Sequence, residues 1–286
     1  MKKYITTIAF TFIGLLLFAQ KPEEKSLLWE ISGKDLKKPS YLYGTFHLIC
    51  PEDLIITPAI ESAITSSSSV YLELDMDDPT LASKMQGGML MKDGHKMSEY
   101  LTPETFANID KALQTKIGAP AAAVDNYKPM LLLAMIYPSV MKCSPASWEL
   151  ELVKIALSQK KEVLGLETIE SQFDVFDSIP YALQSRLFSE YLLDENKMAD
   201  ETNKMLDLYR SKDINGLYKM IKETEYSQGN LENLLLGNRN ENWIPQIITQ
   251  SKKDATFYAV GAAHLAGDKG LIELLRKAGY TLKPIQ

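Results

Sequence analysis

Tyr41-Leu42-Tyr43-Gly44-Thr45-Phe46-His47 and, near the other end of the chain, Phe257-Tyr258-Ala259-Val260-Gly261-Ala262-Ala263-His264 share one pattern. Each is a short apolar run, read as a strand, followed by Gly-x-x-His. Glycine is expected to let the chain turn sharply as it leaves a sheet. The imidazole then follows at the carboxyl end of the strand, the edge where open α/β sheets bind ligands. The chain has only 3 histidines, so two in one local context point to a shared site. Two unrelated core or surface histidines are the bland alternative. His95, in the polar stretch Lys92-Asp93-Gly94-His95-Lys96, reads as exposed.

Outward from these runs, both ends of the chain are strand-rich and the middle is helical. Leu27–Ser32 and Ser40–Thr45 read as paired strands, broken by Gly33 and Pro39. Pro58–Ser67 reads as a helix, and Val70–Asp75 as a strand. Helical spacing runs from about Leu81 to Leu152 with breaks at Gly94, Pro120 and Pro145. Lys161–Leu166 is a further strand. A long helical tract covers roughly Ile169 to Gln250, interrupted at Pro180, Gly216, Gly229 and Gly237. A strand at Ala255–Val260, a helix at Lys269–Ala278 and a strand at Tyr280–Leu282 close the chain. Strands separated by helices predict an α/β fold: a mixed sheet from N- and C-terminal strands with a large central helical insertion. Residues 21–286 are expected to form one domain, with the insertion over about 80–160 and the helical tract over about 169–250.

Carboxylates fall at the same strand ends. Glu73 and Asp75 close one run, where strict alternation would put both on one face, and Glu167 closes another. Two neutral imidazoles with one or two carboxylates suit a divalent metal, Mn, Co or Zn, with a position left for water. Singly, each glutamate reads as readily as a solvated strand end or a helix cap. Arg239, beside Asn240 in Asn238-Arg239-Asn240-Glu241-Asn242-Trp243, could hold a substrate carboxylate or an oxyanion. Asn238 as an N-cap with a surface arginine explains the same residues.

Lys2 and Lys3, then the uncharged apolar stretch Ile5 to Phe18 and the polar run from Lys21, read as a signal peptide over residues 1–20. The apolar core is shorter than a bilayer span; an uncleaved anchor is the competing reading. Removing these residues takes two lysines and no acid, leaving 29 basic side chains against 37 acidic ones. That balance argues against nucleic acid as a partner. The Met130–Val140 run, broken by Pro138, is too short to span a membrane. Export, periplasmic or secreted, is expected. Cys50 and Cys143, the only two cysteines, could then form a disulfide or be buried apolar residues.

Taken in order, Gly44-Thr45-Phe46-His47, Glu73-Leu74-Asp75, Gly165-Leu166-Glu167-Thr168 with Gln172, Arg239-Asn240 and Gly261-Ala262-Ala263-His264-Leu265 with Gly267, Gly270 and Gly279-Tyr280 resemble the TraB/GumN family. The resemblance runs from about residue 26 to 284. It implies relation to the TIKI metalloproteases and, more remotely, to the erythromycin esterase and ChaN-like folds. It implies a hydrolase of peptide bonds with a divalent metal, tilting toward Mn or Co. His47 and His264 are then the paired histidines, Glu73 a further ligand, Glu73, Glu167 and Arg239 catalytic groups, and Arg239, Asn240 and Gln172 substrate contacts. Gly44 and Gly261 are the motif glycines. Ala263 stands where the family pattern leads one to expect glycine. The central helices match only in character, so substrate specificity does not carry over. A metal-independent, esterase-like hydrolase and a non-catalytic peptide-binding or sequestering protein are the competing functions.

Overall fold

The apolar runs pair into one sheet whose strands come from both halves of the chain. The computed structural model describes residues 25–223 and 230–286; the signal-like segment lies outside them. The strands are β1 (Leu28–Ser32), β2 (Ser40–Thr45), β3 (Leu48–Ile49), β4 (Ser69–Leu72), β5 (Ala146–Ser147), β6 (Glu162–Gly165), β7 (Thr256–Gly261) and β8 (Thr281–Ile285). Six form a sheet in the order β6-β4-β7-β2-β1-β8, while β3 and β5 make a separate two-stranded ribbon. The run β6-β4-β7-β2 is parallel, and β1 lies antiparallel to both β2 and β8. The central strand β7, Thr-Phe-Tyr-Ala-Val-Gly, is buried along almost its whole length. A continuous apolar run is what a parallel strand covered on both faces requires.

Helix α1 (Pro58–Ser66) separates β3 from β4. The segment between β4 and β6 carries α2 (Leu81–Gly88), α3 (Pro103–Ile117), α4 (Pro129–Ile136) and α5 (Trp148–Ser158). Between β6 and β7 come α6 (Ile169–Ser178), α7 (Tyr181–Leu193), α8 (Glu195–Arg210), α9 (Ile214–Glu223) and α10 (Asn238–Lys253); α11 (Leu271–Lys277) leads to β8. Local chemistry sets several starts. Thr57, Thr102, Ser147 and Thr168 each accept a first-turn N–H with a side-chain oxygen, and Pro58 and Pro103 occupy first helical positions.

The main core lies around the sheet, with Trp29, Leu42, Val70, Leu72, Phe257 and Val260 fully or almost fully buried. A second core joins the two helical segments: Ile109, Leu113, Leu132 and Ile136 from the first meet Phe188 and Leu192 from the second. Each such side chain contributes roughly 1.5–3 kcal/mol by leaving water, so the two segments stabilise each other.

Three expectations are corrected. β4 stops at Leu72, and the acidic run Asp75-Met76-Asp77-Asp78-Pro79 turns the chain, so alternation does not pair Glu73 with Asp75. Gly216 does not break a helix: it sits inside α9, where a Cβ would meet Leu208 Cδ2 at 2.6 Å, so its smallness lets α8 and α9 approach. Asn238 does not cap a helix, because a π turn over Asn233–Gly237 runs straight into α10. Gly229 lies outside the described residues. Cys50 and Cys143 are joined, with Cα atoms 5.7 Å apart. This disulfide links the chain just after β3 to the chain just before β5.

Candidate functional site

Sheet order brings four side chains to one edge. The carboxyl ends of β6, β4, β7 and β2, consecutive in the sheet, lead into Glu167, Glu73, His264 and His47. β2 and β7 lie side by side in register, Thr45 opposite Gly261, so the two Gly-x-x-His units emerge together. Neither glycine uses a left-handed conformation to leave the sheet. Gly261 has φ −51°, and Gly44 is absent from the positive-φ residues. What Gly44 supplies is space, while Gly261 lies against the site. A Cβ on Gly44 would stand 2.8 Å from Leu265 Cδ1, and one on Gly261 would stand beside Glu73 Oε1 and His47 Nε2. Ala263 is likewise not a positive-φ residue, so alanine fits its short 3₁₀ turn.

Glu73 is the centre of the cluster. Its Oε1 accepts the Gly261 N–H at 2.8 Å and lies 3.9 Å from His47 Nε2 and 3.8 Å from His264 Nε2. Its Oε2 pairs with Arg239 Nη2 at 2.5 Å. Arg239 spends every donor it has. Nε reaches Glu167 at 3.1 Å, Nη1 reaches the Leu235 carbonyl and His264 Nε2, and Nη2 reaches Glu73 and Glu167. The π turn before α10 presents that Leu235 carbonyl. Glu167 also accepts from Gln172 Nε2 at 2.7 Å and Trp243 Nε1 at 3.3 Å. Both of its oxygens are therefore occupied, and it anchors Arg239 rather than facing a reactant.

The two histidines are held by different partners. Asn240 donates its amide to the carbonyls of His264 and Lys269, which fixes its oxygen toward His264 Nδ1 at 2.7 Å. An amide oxygen only accepts, so Nδ1 carries the proton and Nε2 keeps its lone pair. Asn240, expected as a substrate contact, is buried and wholly spent on this duty. His47 Nδ1 instead faces Glu149 Oε1 at 2.9 Å. That oxygen also accepts from Thr45 Oγ1 at 2.8 Å, and the other accepts from Ser147 Oγ at 3.2 Å. His95 belongs elsewhere, with Glu99, Tyr100 and the ring of Tyr181 as its partners.

These surroundings drive the proton affinities apart. Burial lowers His264 to about 3, with Arg239 and His47 adding to the effect against the pull of Glu73. For His47, desolvation by the protein around it also works downward, although its side chain reaches solvent. The hydrogen bond and charge of Glu149, with the charge of Glu73, outweigh it and raise the pKa to about 9. Desolvation would raise Glu73, yet Arg239, the imidazoles and the Gly261 N–H hold it well below the ordinary carboxylate range.

Beside the cluster opens a cavity of about 490 Å³. His47, Arg239 and His264 line its foot. Its walls are largely apolar and come from the helices, including Leu133, Met198, Met205, Leu217 and Met220. Both helical segments thus wall one cleft over the strand ends.

A family model described as TraB/PrgY/gumN matches residues 27–284. The chain belongs to this family. It is 21% identical to Metalloprotease TIKI1 of Danio rerio, over 90% of this chain and 63% of that protein. Metalloprotease TIKI2 of Danio rerio is 21% identical over 90% of this chain and 60% of its own length. Metalloprotease TIKI1 of Homo sapiens is 20% identical over 92% of this chain and 63% of its own length. The chain thus spans less than two thirds of the curated relatives it matches. No solved structure matches it.

The donor types at the strand ends suit a divalent cation in kind: two imidazole Nε2 atoms and one carboxylate oxygen. Their spacing is wider than the roughly 3.3 Å between ligands at ordinary zinc bond lengths, and Arg239 Nη1 sits 3.2 Å from His264 Nε2. Accordingly, no cluster of three such groups is close enough to count as a formed cation site among the described residues. A cation on His264 Nε2 would compete with that arginine hydrogen bond.

Glu149 is the residue sequence reasoning missed. Within Ser147-Trp148-Glu149 it looks like an ordinary first-turn acid placed for the helix dipole. Only the pairing of β3 with β5 reveals its link to His47. Trp243 served in the sequence as a landmark, yet its ring packs 4.7 Å from that of His264, and Arg239 stacks over it.

Proposed function

We propose that this chain is an exported hydrolase of peptide bonds, acting as a metalloprotease with His47, His264 and Glu73 as the cation set. The observation that carries this reading is the convergence of both Nε2 atoms on one Glu73 oxygen, at 3.9 and 3.8 Å, at the foot of an apolar cleft. The names of the TIKI relatives support a protein substrate and a metal. When bound, the cation would polarise the scissile carbonyl and lower the pKa of a bound water.

The protein's own groups do the rest. Glu73 keeps Oε1 toward the two imidazoles while Arg239 holds its other oxygen. Arg239 bridges the two carboxylates and offsets one of their two charges, so the remaining negative charge favours a cation or a protonated His47 beside Glu73. Asn240 and Trp243 set the plane of the His264 ring. The apolar walls receive side chains of a peptide segment and exclude water around the bond to be cut. Export agrees with the signal-like start of the chain and with a disulfide, a bond that persists in oxidising compartments. No helix among the described residues is long and apolar enough to cross a membrane.

One observation favours a second reading. Arg239 Nη1 already occupies the His264 lone pair, and His47 on a carboxylate resembles an oriented general base that needs no metal. Peptide cleavage with and without chelator, metal analysis of the purified protein, and the variants His47→Ala and His264→Ala separate the two. Loss of cleavage on chelation and in both variants supports the metalloprotease. Chelator-insensitive cleavage that His47→Ala abolishes selects the second reading. Cleavage surviving both substitutions, or a bound peptide recovered intact, sinks both; the intact peptide would indicate sequestration instead.

A further inference from the structure

The structure assigns Glu149 as the positioning residue of His47, laced to it by the β3–β5 ribbon and the Cys50–Cys143 bond. An ionised carboxylate can only accept hydrogen bonds. With Glu149 Oε1 2.9 Å from Nδ1, the proton of a neutral His47 belongs on Nδ1. Nε2, with its lone pair, is then the atom turned toward Glu73. The constraint matters because the His47 side chain is 62% exposed. Left to itself, an exposed imidazole samples both tautomers and several ring orientations. Glu149 is fixed far more firmly, with a side chain 10% exposed and hydroxyl donors on both oxygens, Thr45 on one and Ser147 on the other.

The chain between His47 and Glu149 is long, and three links shorten it to a clasp. Leu48 pairs with Ser147 and Ile49 with Ala146, and Cys50 is bonded to Cys143 across a sequence separation of 93 residues. Every residue from Leu48 to Cys50 is therefore tied to the segment that delivers Glu149. Thr45, at the end of β2, closes the loop from the other side. A carboxylate behind a ligating histidine sets its tautomer, and removing such a partner typically weakens metal binding 10–100-fold.

The inference rests on His47 being a site residue, as proposed above, and its test reads the ring directly. The full chain, labelled with ¹⁵N at its three histidines, is compared with Glu149→Gln and Glu149→Ala, and His47→Ala assigns the signal. In the metal-free protein, on the pH limb where the ring is neutral, we expect the proton on Nδ1 in the parent chain. Glu149→Gln keeps an acceptor oxygen and should keep that tautomer. Glu149→Ala should shift the ring to a mixture. In parallel, Co²⁺ affinity should fall 10–100-fold in Glu149→Ala and within about threefold in Glu149→Gln, with kcat falling more than KM rises. An unchanged tautomer in Glu149→Ala overturns the assignment. Should Glu149→Ala not fold, Ser147→Ala, which frees one carboxylate oxygen, must broaden or shift the His47 signal, and no change there overturns it equally. If the parent chain binds no Co²⁺ and cleaves no peptide, the metalloprotease reading fails, while the tautomer still decides the role of Glu149.

Discussion

The two Gly-x-x-His units begin alike and end as opposites. Both leave neighbouring parallel strands in register, and both turn Nε2 to the same oxygen of Glu73. Yet the His264 side chain is 4% exposed, tied to an amide and kept neutral, whereas His47 is open to solvent, tied to a carboxylate and holds a proton strongly. The motif fixes where an imidazole stands. Its chemistry comes from what the rest of the chain brings behind it: α10 for one ring, the clasp before α5 for the other. One fixed neutral ring and one adjustable charged ring around a shared carboxylate form a graded site, in which a proton is held on the His47 side.

Removing the shared group should have the largest effect. Glu73→Ala leaves Arg239, 13% exposed at its side chain, with one carboxylate fewer. Breaking a buried pair in this way costs about 3–5 kcal/mol. Peptide cleavage should fall by about 10²–10⁴-fold as well. Denaturant unfolding and cleavage rates check both, and an unchanged midpoint would mean that the two imidazoles do not depend on a common partner.

The asymmetry itself is tested next by truncating each ring. His264→Ala should destabilise by about 2–4 kcal/mol, because it empties a buried volume under Trp243 and strands the Asn240 oxygen. His47→Ala should cost under about 1 kcal/mol, as expected for a mostly exposed side chain. Equal losses in thermal unfolding would break the comparison.

That asymmetry was not legible in the sequence, although much else was. Apolar runs ending in Gly-x-x-His marked β2 and β7, and the scarcity of histidine made the repetition informative. Glu73 and Glu167 were visible because strand patterns end on them. What escaped were roles that depend on tertiary pairing. Glu149 lies at a helix start where an acid needs no special reason. Asn240 beside Arg239 suggested a substrate contact, but helical geometry turns neighbours in sequence to different faces. It therefore supports His264 while Arg239 spans the two glutamates. The motif glycines suggested turns, and the chain does turn after Gly261, but the clearance that Gly44 gives Leu265 and Ala262 depends on the pairing of β2 with β7.

Titration offers a subtler separation, read in chelated protein as unfolding midpoint against pH. His47 has its pKa raised to about 9. Its contribution is complete below the unfolded value near 6.5 and is lost as pH rises through about 9. His47→Ala should flatten that alkaline decline. His264, lowered to about 3, acts in reverse. The unfolded chain takes the proton first, so stability falls as pH drops below about 6.5. Glu73 and Asp78, both lowered, add their own losses in more acid solution, which leaves roughly pH 5–6.5 as the window for His264. His264→Ala should flatten the curve there alone. Identical profiles for the two variants would contradict the opposite protonation states.

The smallest effects should come from the glycines, and they too should differ. A Cβ at Gly44 meets Leu265 Cδ1 at 2.8 Å and Ala262 Cα at 3.0 Å. The backbone of the neighbouring unit cannot step aside freely, so Gly44→Ala should cost about 1–3 kcal/mol. At Gly261 the added methyl finds Glu73 Oε1 at 3.4 Å and His47 Nε2 at 3.5 Å, contacts that a folded chain tolerates, and stability should change by under about 1 kcal/mol. That methyl nevertheless abuts both the carboxylate oxygen and the imidazole nitrogen, which lie 3.9 Å apart, from one side. Gly261→Ala should therefore lower cleavage while leaving the unfolding midpoint nearly in place, and Gly44→Ala should show the opposite balance. A Gly261→Ala protein with full activity would show that the gap between Glu73 and His47 is not where the chemistry happens.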